Sequence, residues 1–449
     1  MGLYLVSGQE QTVLSTRFIS SLALAVLLAP GAPSQERPHA FVGAKIIPIE
    51  GEDIEDGVLI VHRGRVSAVD AAGNVEIPAD AVRHDVRGKT IMPGLICTHS
   101  HIGGFGGADG SAPIQPGVRI YDSLNVHDPG FRRAVAGGLT TLNIMPGSGH
   151  LMSGQTVYVK LRGGETIEDI CYRGPSGDIL GGMKMANGTN SIKTPPFPGT
   201  RGKSAALVRQ QFVRAREYRD KIARADGDPD KLPPRDLGLE AMIDLLNRRR
   251  IVHHHTHRHD DIITVLRLAR EFDFRVVLHH VSDGWKVAEK IAEAKVPCSL
   301  IIVDSPGGKL EAIDLVYDTG RILEEAGVEV AFHTDDWITD SRLFLRVPAL
   351  AVRAGMSRKG ALAAVTLAGA KMIDLDSRIG SLKSGKDADF IVLTGDPLSV
   401  YTKILETWVE GRKVFDRGDP KDRLHAVGGF GAGSDHRPFS CCFDAEAPR

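Results

Sequence analysis

A nine-residue run, Pro93-Gly94-Leu95-Ile96-Cys97-Thr98-His99-Ser100-His101, leaves few folds open to this chain. It reads as an apolar strand leaving a core and ending in two histidines two positions apart. Side chains at i and i+2 of a strand share a face, so His99 and His101 can close on one metal ion. Non-redox divalent cations are held in this way, with one coordination position open, where water must be activated. A fold that uses such a pair needs further ligands at neighbouring strand ends.

The middle of the chain supplies them. It alternates short apolar strands with helical patterns, which predicts parallel βα units. Strands are expected to end near Thr98, Met145, Leu161, Lys184, His255, His280, Val303 and Thr334. Helical spacing follows most of them, as in Ile262-Ile263, Val265-Leu266 and Leu268-Ala269. Eight strands with helices between them over roughly 250 residues match a closed (β/α)8 barrel, whose site lies at the C-terminal strand ends. Residues 187–237 form an insertion with Arg209, Arg214, Arg216, Arg219 and Arg224. It reads as a helix with a solvated face and Val208, Phe212 and Ile222 turned inward; a cap over the barrel mouth is the sharper alternative.

Both ends differ from the middle. Phe41–Ile47, Gly57–Val61 and Arg65–Val69 read as short strands, and so do Ala388–Leu393, Ile404–Val409 and Arg412–Phe415. One small sheet domain assembled from both ends is expected, from residues 37–90 and 376–418, around a barrel over 91–375. The apolar run Phe18–Leu28, after Arg17 and before Pro30-Gly31, is too short to cross a bilayer of ~30 Å but suits a secretory signal. Residues 1–36 are therefore read as a leader for export, to the periplasm or the medium. A start later than Met1, or a leader that is no signal and a cytoplasmic protein, is the alternative. Residues 419–449 read as a Gly-rich, poorly ordered tail.

With 449 residues, 42% hydrophobic and a net charge of -1, the chain has no global field to attract nucleic acid or acidic lipid. No stretch after the leader is apolar enough to span a membrane. Cys97, Cys171, Cys298, Cys441 and Cys442 give neither a Cys-x-x-Cys pair nor a disulfide framework.

Placed on one barrel rim, the strand ends bring together His99 and His101, then Lys184 inside Gly182-Met183-Lys184-Met185. The crowded His253-His254-His255-Thr256-His257 follows, with His279-His280 and His333-Thr334-Asp335. These marks, with Gly380-Ser381-Leu382-Lys383-Ser384-Gly385-Lys386-Asp387-Ala388-Asp389, resemble the amidohydrolase superfamily, in the branch of imidazolonepropionase-like proteins and metal-dependent dipeptidases. The resemblance covers about Ala40 to Phe415. It implies a (β/α)8 barrel with a composite β-sandwich and one or two divalent metals, two zinc ions being the first expectation and manganese, iron or cobalt the alternatives. It also implies a tendency toward symmetric homo-oligomers.

Residue by residue, the resemblance makes His99, His101, Lys184, His255, His280 and Asp335 the metal ligands. Lys184 would be carboxylated by carbon dioxide, because an ammonium has no lone pair and a carbamate offers two anionic oxygens. Asp335 would be the general base, taking a proton from a metal-bridging hydroxide's parent water and giving it to the leaving nitrogen. His254 and His279 are read as packed histidines, His279 pointing into the helix layer, and His259 as a surface residue. His257, His150 and Arg258 are the weaker candidates for substrate contact, with Trp285 and Arg342 beside them. Cys97 stands where many relatives carry aspartate and reads as a small buried residue.

The expected activity is hydrolysis of a C–N bond in a small amide, peptide-like or cyclic amide substrate. The alternatives are a mononuclear deaminase or imidazolone-type hydrolase, and a non-catalytic barrel scaffold. Lys184 argues against the first and the intact ligand set against the second.

Overall fold

The sheet built from the two ends begins with β1 (His39–Ile46), β2 (Ile54–His62), β3 (Arg65–Ala71), β4 (Val82–Asp85) and β5 (Thr90–Pro93). In the computed structural model, residues 37–103, 109–302, 309–336, 338–429 and 432 are described. The leader lies outside them. β1 pairs antiparallel with β2 and parallel with β4 and β5. Phe41, Ala44 and Ile46 of β1 are fully buried beside Leu59, Phe390 and Trp408.

The middle contributes β6 (Leu95–Ser100), β7 (Leu139–Ile144), β8 (Met152–Gln155), β9 (Val157–Lys160), β10 (Met183–Ala186), β11 (Val252–Thr256), β12 (Val276–His280), β13 (Cys298–Leu300) and β14 (Val330–Phe332). They form two sheets, β6-β7-β9 and β8-β10-β11-β12-β13-β14. β10 to β14 run parallel, as do β6 and β7. Their residues are buried throughout, as expected for strands covered on both faces. Helices lie between most neighbours, among them His259–Phe272 between β11 and β12, which buries Ile262, Val265, Leu268, Ala269 and Phe272 at helical spacing.

The third strand departs from the expected parallel pattern. Met152–Lys160 runs antiparallel, β8 against β10 and β9 against β7. The link from Ile144 to Met152 holds no helix and is too short for the crossover of a dozen or more residues that a parallel return needs. Lys160 therefore lies at the end opposite the histidines, bound to Asp387 and Asp389.

β15 (Phe390–Leu393), β16 (Ile404–Val409) and β17 (Arg412–Asp416) complete the first sheet, in the order β17-β16-β15-β5-β1-β2-β3 with β4 on β1. The two ends of the chain thus share one eight-stranded sheet. The first part of the expected disordered tail, residues 419–449, is ordered: Pro420–Val427 is a helix capped by the Asp419 carboxylate, and 433–449 lie outside the described residues. In the insertion, Arg201–Ala225 is one helix with Val208 and Phe212 buried, but Ile222 is 36% exposed. Two of its arginines face the neighbouring helix: Arg209 binds Glu271, and Arg216 lies over the Phe272 ring. No described helix is long and apolar enough to cross a membrane.

Candidate metal centre

Strand register decides which histidines meet. Lys184 aligns with His253, and Ala186 with His255. His255 in turn aligns with His279, and His279 with Ser299. Partners aligned across parallel strands share a face, so Lys184, His253, His255, His279 and Ser299 all point to one side. His254 aligns with Leu278 on the other and gives its Nδ1 to the His255 carbonyl at 2.9 Å. His279 thus corrects its expected place: it is not in the helix layer but on the inner face. His280 reaches the same side by another route. It and Val281 have φ of 71° and 53°, and this left-handed turn brings its ring centroid to 4.3 Å from that of His255.

At the centre, His99 Nε2 lies 3.2 Å from His101 Nε2 and 3.0 Å from Lys184 Nζ. One Asp335 oxygen is 3.1 Å from His101 Nε2 and 3.4 Å from His99 Nε2, while the other is 3.9 Å from His280 Nδ1. The ligand atoms of His99, His101 and Asp335 all fall within 4.8 Å of one another. So do those of His99, His279 and His333, and those of His255, His257 and Glu311. His257 stacks on His280 with ring centroids 5.0 Å apart and shares a 2.7 Å hydrogen bond between its Nδ1 and Ser282 Oγ.

Burial sets the charge of this cluster. Desolvation holds His99, His255, His257, His279 and His280 well below the usual imidazole range, with Lys184 adding to the effect on each. Neutral imidazoles keep the lone pairs that a metal requires. Burial pushes the other way on Asp335, yet the His101 hydrogen bond and the charges of His101, His333 and Lys184 hold its carboxyl below the usual range. A cation fits these residues. His255 Nδ1, His257 Nε2 and His280 Nε2 are buried atoms without a hydrogen-bond partner, a costly state that ligation relieves.

The remaining predicted residues fall elsewhere. His150 is buried against Phe197, its ring depressed to about 4 by burial and then by Lys193. Arg258 is held by both oxygens of Asp260. Arg342 is clamped likewise by Asp340, and Trp285 donates to the Asp314 carbonyl. Cys97 Sγ donates to the His99 carbonyl and accepts from Thr334 N, with burial pushing the thiol up to about 12. Asp336 binds Ser100 Oγ at 2.5 Å and Ser341. Sequence reading gave no role to Tyr158, Ser299, His333 or Glu311. His333 was two residues from a named site residue and so on its face; Glu311 carried no signal.

A mixed α/β fold with a buried cluster of histidines and a carboxylate at strand ends defines the class. Residues 239–415 match the Amidohydrolase family. A solved amidohydrolase from Thermotoga maritima MSB8 is 31% identical, with a TM-score of 0.78 over 84% of this chain and 100% of that one. Amidohydrolase tasK of Hapsidospora irregularis is 27% identical over 401 residues, 82% of this chain and 41% of the relative. An imidazolonepropionase of Bdellovibrio bacteriovorus is 28% identical over 174 residues, 34% of this chain and 41% of the relative. The chain spans about two-fifths of the length of these two curated relatives. The chain belongs to the amidohydrolase superfamily. It has histidine and aspartate groups that can hold a divalent metal.

Proposed function

We propose that this chain is a metal-dependent hydrolase of a C–N bond in a small amide, peptide-like or cyclic amide substrate. The observation that carries the reading is the meeting of His99, His101 and Asp335 within ligand distance of one another, with Lys184 Nζ 3.0 Å from His99. Those three would hold a divalent cation, zinc suiting the nitrogen-rich set, with Lys184, His255 and His280 around it. Bound there, the cation supplies Lewis acidity that polarises a carbonyl and lowers the pKa of water toward 7. A carbamate on Lys184, formed with carbon dioxide, turns a residue that cannot ligate into one that can.

Asp335 does the proton work. It accepts a proton from the water whose oxygen adds to the carbonyl carbon. It then delivers that proton to the nitrogen as the C–N bond breaks, so a carboxylic acid and an amine leave, the acid's proton passing to the amine at neutral pH. Its carboxyl stays ionised at neutral pH, as a base must.

We also read the two central sheets as one closed (β/α)8 barrel under a β-sandwich. Strand order supports this: β8 and β9 are one bent strand serving both sheets, and Asp335 N donates to the His99 carbonyl at 3.1 Å between the last strand and the first. The leader supports export as the destination.

The likeness to an imidazolonepropionase favours a second reading, a single-cation hydrolase or deaminase that leaves Lys184 unmodified. Metal analysis separates the readings: about two cations per chain for the first, one for the second. None, in a folded chain, refutes both. A panel of dipeptides, N-acyl amino acids, hydantoins and lactams, each assayed with zinc, manganese, iron and cobalt, then identifies the bond.

A further inference from the structure

Arg248 and Lys295 stand where a helix gives way to β11 and to β13, and both hold a left-handed backbone, with φ of 59° and 53°. That position suits glycine, which has no Cβ to clash. The chain uses glycine there before β7 and β14, where Gly138 and Gly327 have φ of 83° and 81°. Before β12 the position falls to Asp273, with φ 55°, a residue type that tolerates it. A long cationic side chain kept where side chains are disfavoured points to a use for its charge. Arg248, Asp273 and Lys295 all line one groove of about 760 Å³, at the ends of β11 and β12 away from the histidines.

The floor of the groove is apolar. Ile251, Phe274, Val277 and Met372 line it, each no more than 4% exposed, and three of them pack with Ala331 and Ala368 in a small cluster apart from the main core. Ile263 and Leu266 of the helix His259–Phe272 add a half-buried wall. The rim is basic, in a chain whose net charge is -1. Four of its cations are matched: Arg248 by Asp273, Arg275 by Asp374, Lys290 by Glu293 and Lys371 by Glu329. Three are not. Arg267 gives Nη2 only to Thr264 Oγ1, and among the described residues no carboxylate pairs with Arg267, Arg270 or Lys295. Arg267 and Arg270 are one turn apart on the same helix, so they share a face.

Carbon below and unmatched cations above are complementary to an amphiphilic anion. The volume lies within the range of roughly 300–1,000 Å³ found for small-molecule sites, which are mostly apolar with a few polar groups fixing orientation. Guanidinium groups take both oxygens of a carboxylate or phosphate in a fork. Salt screens charges at an open rim, so the apolar floor must share in the hold. We propose that this groove binds a small organic anion with an apolar body and a doubly charged head, a phosphate monoester or a dicarboxylate, whose charge meets Arg267, Arg270 and Lys295. No residue of the metal cluster lines the groove, so the proposal goes beyond the metal-hydrolase reading and does not rest on it.

The test titrates the full chain in a calorimeter, at low salt, with 1-naphthyl phosphate, naphthalene-1,4-dicarboxylate, 1-naphthol and inorganic phosphate. At least one of the two naphthyl anions should bind, the tighter one identifying the head, and naphthol and inorganic phosphate should bind more weakly than it. Arg270→Gln should weaken that probe about tenfold, the scale of one lost charge-assisted hydrogen bond. Lys295→Gly should weaken it too, yet unfold at a urea midpoint no lower than wild type, because glycine suits the left-handed turn. Arg83→Gln, in β4, and His101→Ala, at the other end of the central strands, should bind the probe as wild type does. No binding of either naphthyl anion overturns the proposal, and so does equal binding of naphthol or of inorganic phosphate. Binding unchanged in both Arg270→Gln and Lys295→Gly, or lost in His101→Ala, would put the probe elsewhere and overturn it as well. The metal-hydrolase reading stands in each of these cases.

Discussion

The backbone amide of Asp335 donates to the His99 carbonyl at 3.1 Å, so the carboxylate after β14 is pinned by main chain to the first histidine of β6. Asp335 has φ 48°, a left-handed conformation that aspartate and asparagine accept more readily than other side chains. Asp335→Asn should therefore keep the backbone and most of the bound metal. Turnover of an amide substrate should fall by at least ~10²-fold, the lower range for loss of a general acid–base. Steady-state kinetics and metal content on the same sample check this. Near-normal kcat would remove Asp335 from proton transfer.

Lys184 is fully buried between His99 Nε2 at 3.0 Å and Met145 Sδ at 3.3 Å. Lys184→Ala should lose at least one cation, and short carboxylic acids such as acetate or propionate should restore part of the activity by standing in for a carbamate. Metal content unchanged from wild type would count against any bridging role. It would leave the second, single-cation reading in place.

The sequence showed the strand ends well because each carries its chemistry in a local pattern. His99-Ser100-His101, Lys184 and Thr334-Asp335 each lie in or directly after an apolar strand, and the structure brings them to one place. What it hid depends on backbone turns and pairing. Alternation counted from an inward His280 puts His279 on the outer face, and the structure puts it on the inner one. The left-handed turn at His280 and Val281 breaks that alternation, so adjacent histidines face one side. Met152–Lys160 looked like any other apolar strand, and only the missing crossover gives away its reversed direction. Glu311 reaches the cluster from a connection, where no periodicity exists to mark it.

His279 carries its own prediction. Its Nδ1 is 3.3 Å from His99 Nδ1 and its Nε2 is 3.0 Å from His253 Nδ1, while His253 Nε2 is 3.1 Å from the Tyr158 hydroxyl. This buried chain fixes the orientation of the His99 ring from behind. Partners of this kind are worth about 10–100-fold in metal affinity. His279→Leu should weaken cation binding by that factor in a calorimetric titration while the circular dichroism spectrum stays native. Affinity equal to wild type would mean that the chain only fills space.

At the opposite end, Lys160 is fully buried and binds Asp387, with Asp389 at 3.0 Å and Glu410 at 3.4 Å. These aspartates belong to the Gly380–Asp389 stretch, so the motif staples the terminal sheet to β9. Arg65 and Arg378 also reach Asp387, but no other basic side chain is paired with Asp389 among the described residues. Removing one partner from a buried pair costs about 3–5 kcal/mol. Lys160→Met should lower stability toward the bottom of that range, since Asp387 keeps two arginines. Urea denaturation monitored by fluorescence measures it, and a loss under 1 kcal/mol, the ~0–1 kcal/mol scale of an exposed pair, would show that the network is not stabilising.

Buried neutral histidines also fix how the metal-free chain responds to acid. Burial depresses His150 and His254 to about 4 and His253 and His333 to about 3, from an ordinary 6.5. A folded-state value below the unfolded one means the unfolded chain binds more protons, so stability rises with pH across the window between them. The stabilisation is complete above about 6.5 and is lost as pH falls toward 4 and then 3. Urea midpoints of the stripped chain should therefore fall steadily from pH 7 to pH 5. His150→Gln, which removes one titrating ring outside the cation cluster, should give a shallower slope. Saturating zinc should move the fall to lower pH, because a ligated imidazole must lose its cation before it can take a proton. Midpoints flat between pH 7 and pH 5 in the metal-free chain would mean that these rings titrate alike in the folded and unfolded states, and that the cluster is open to water.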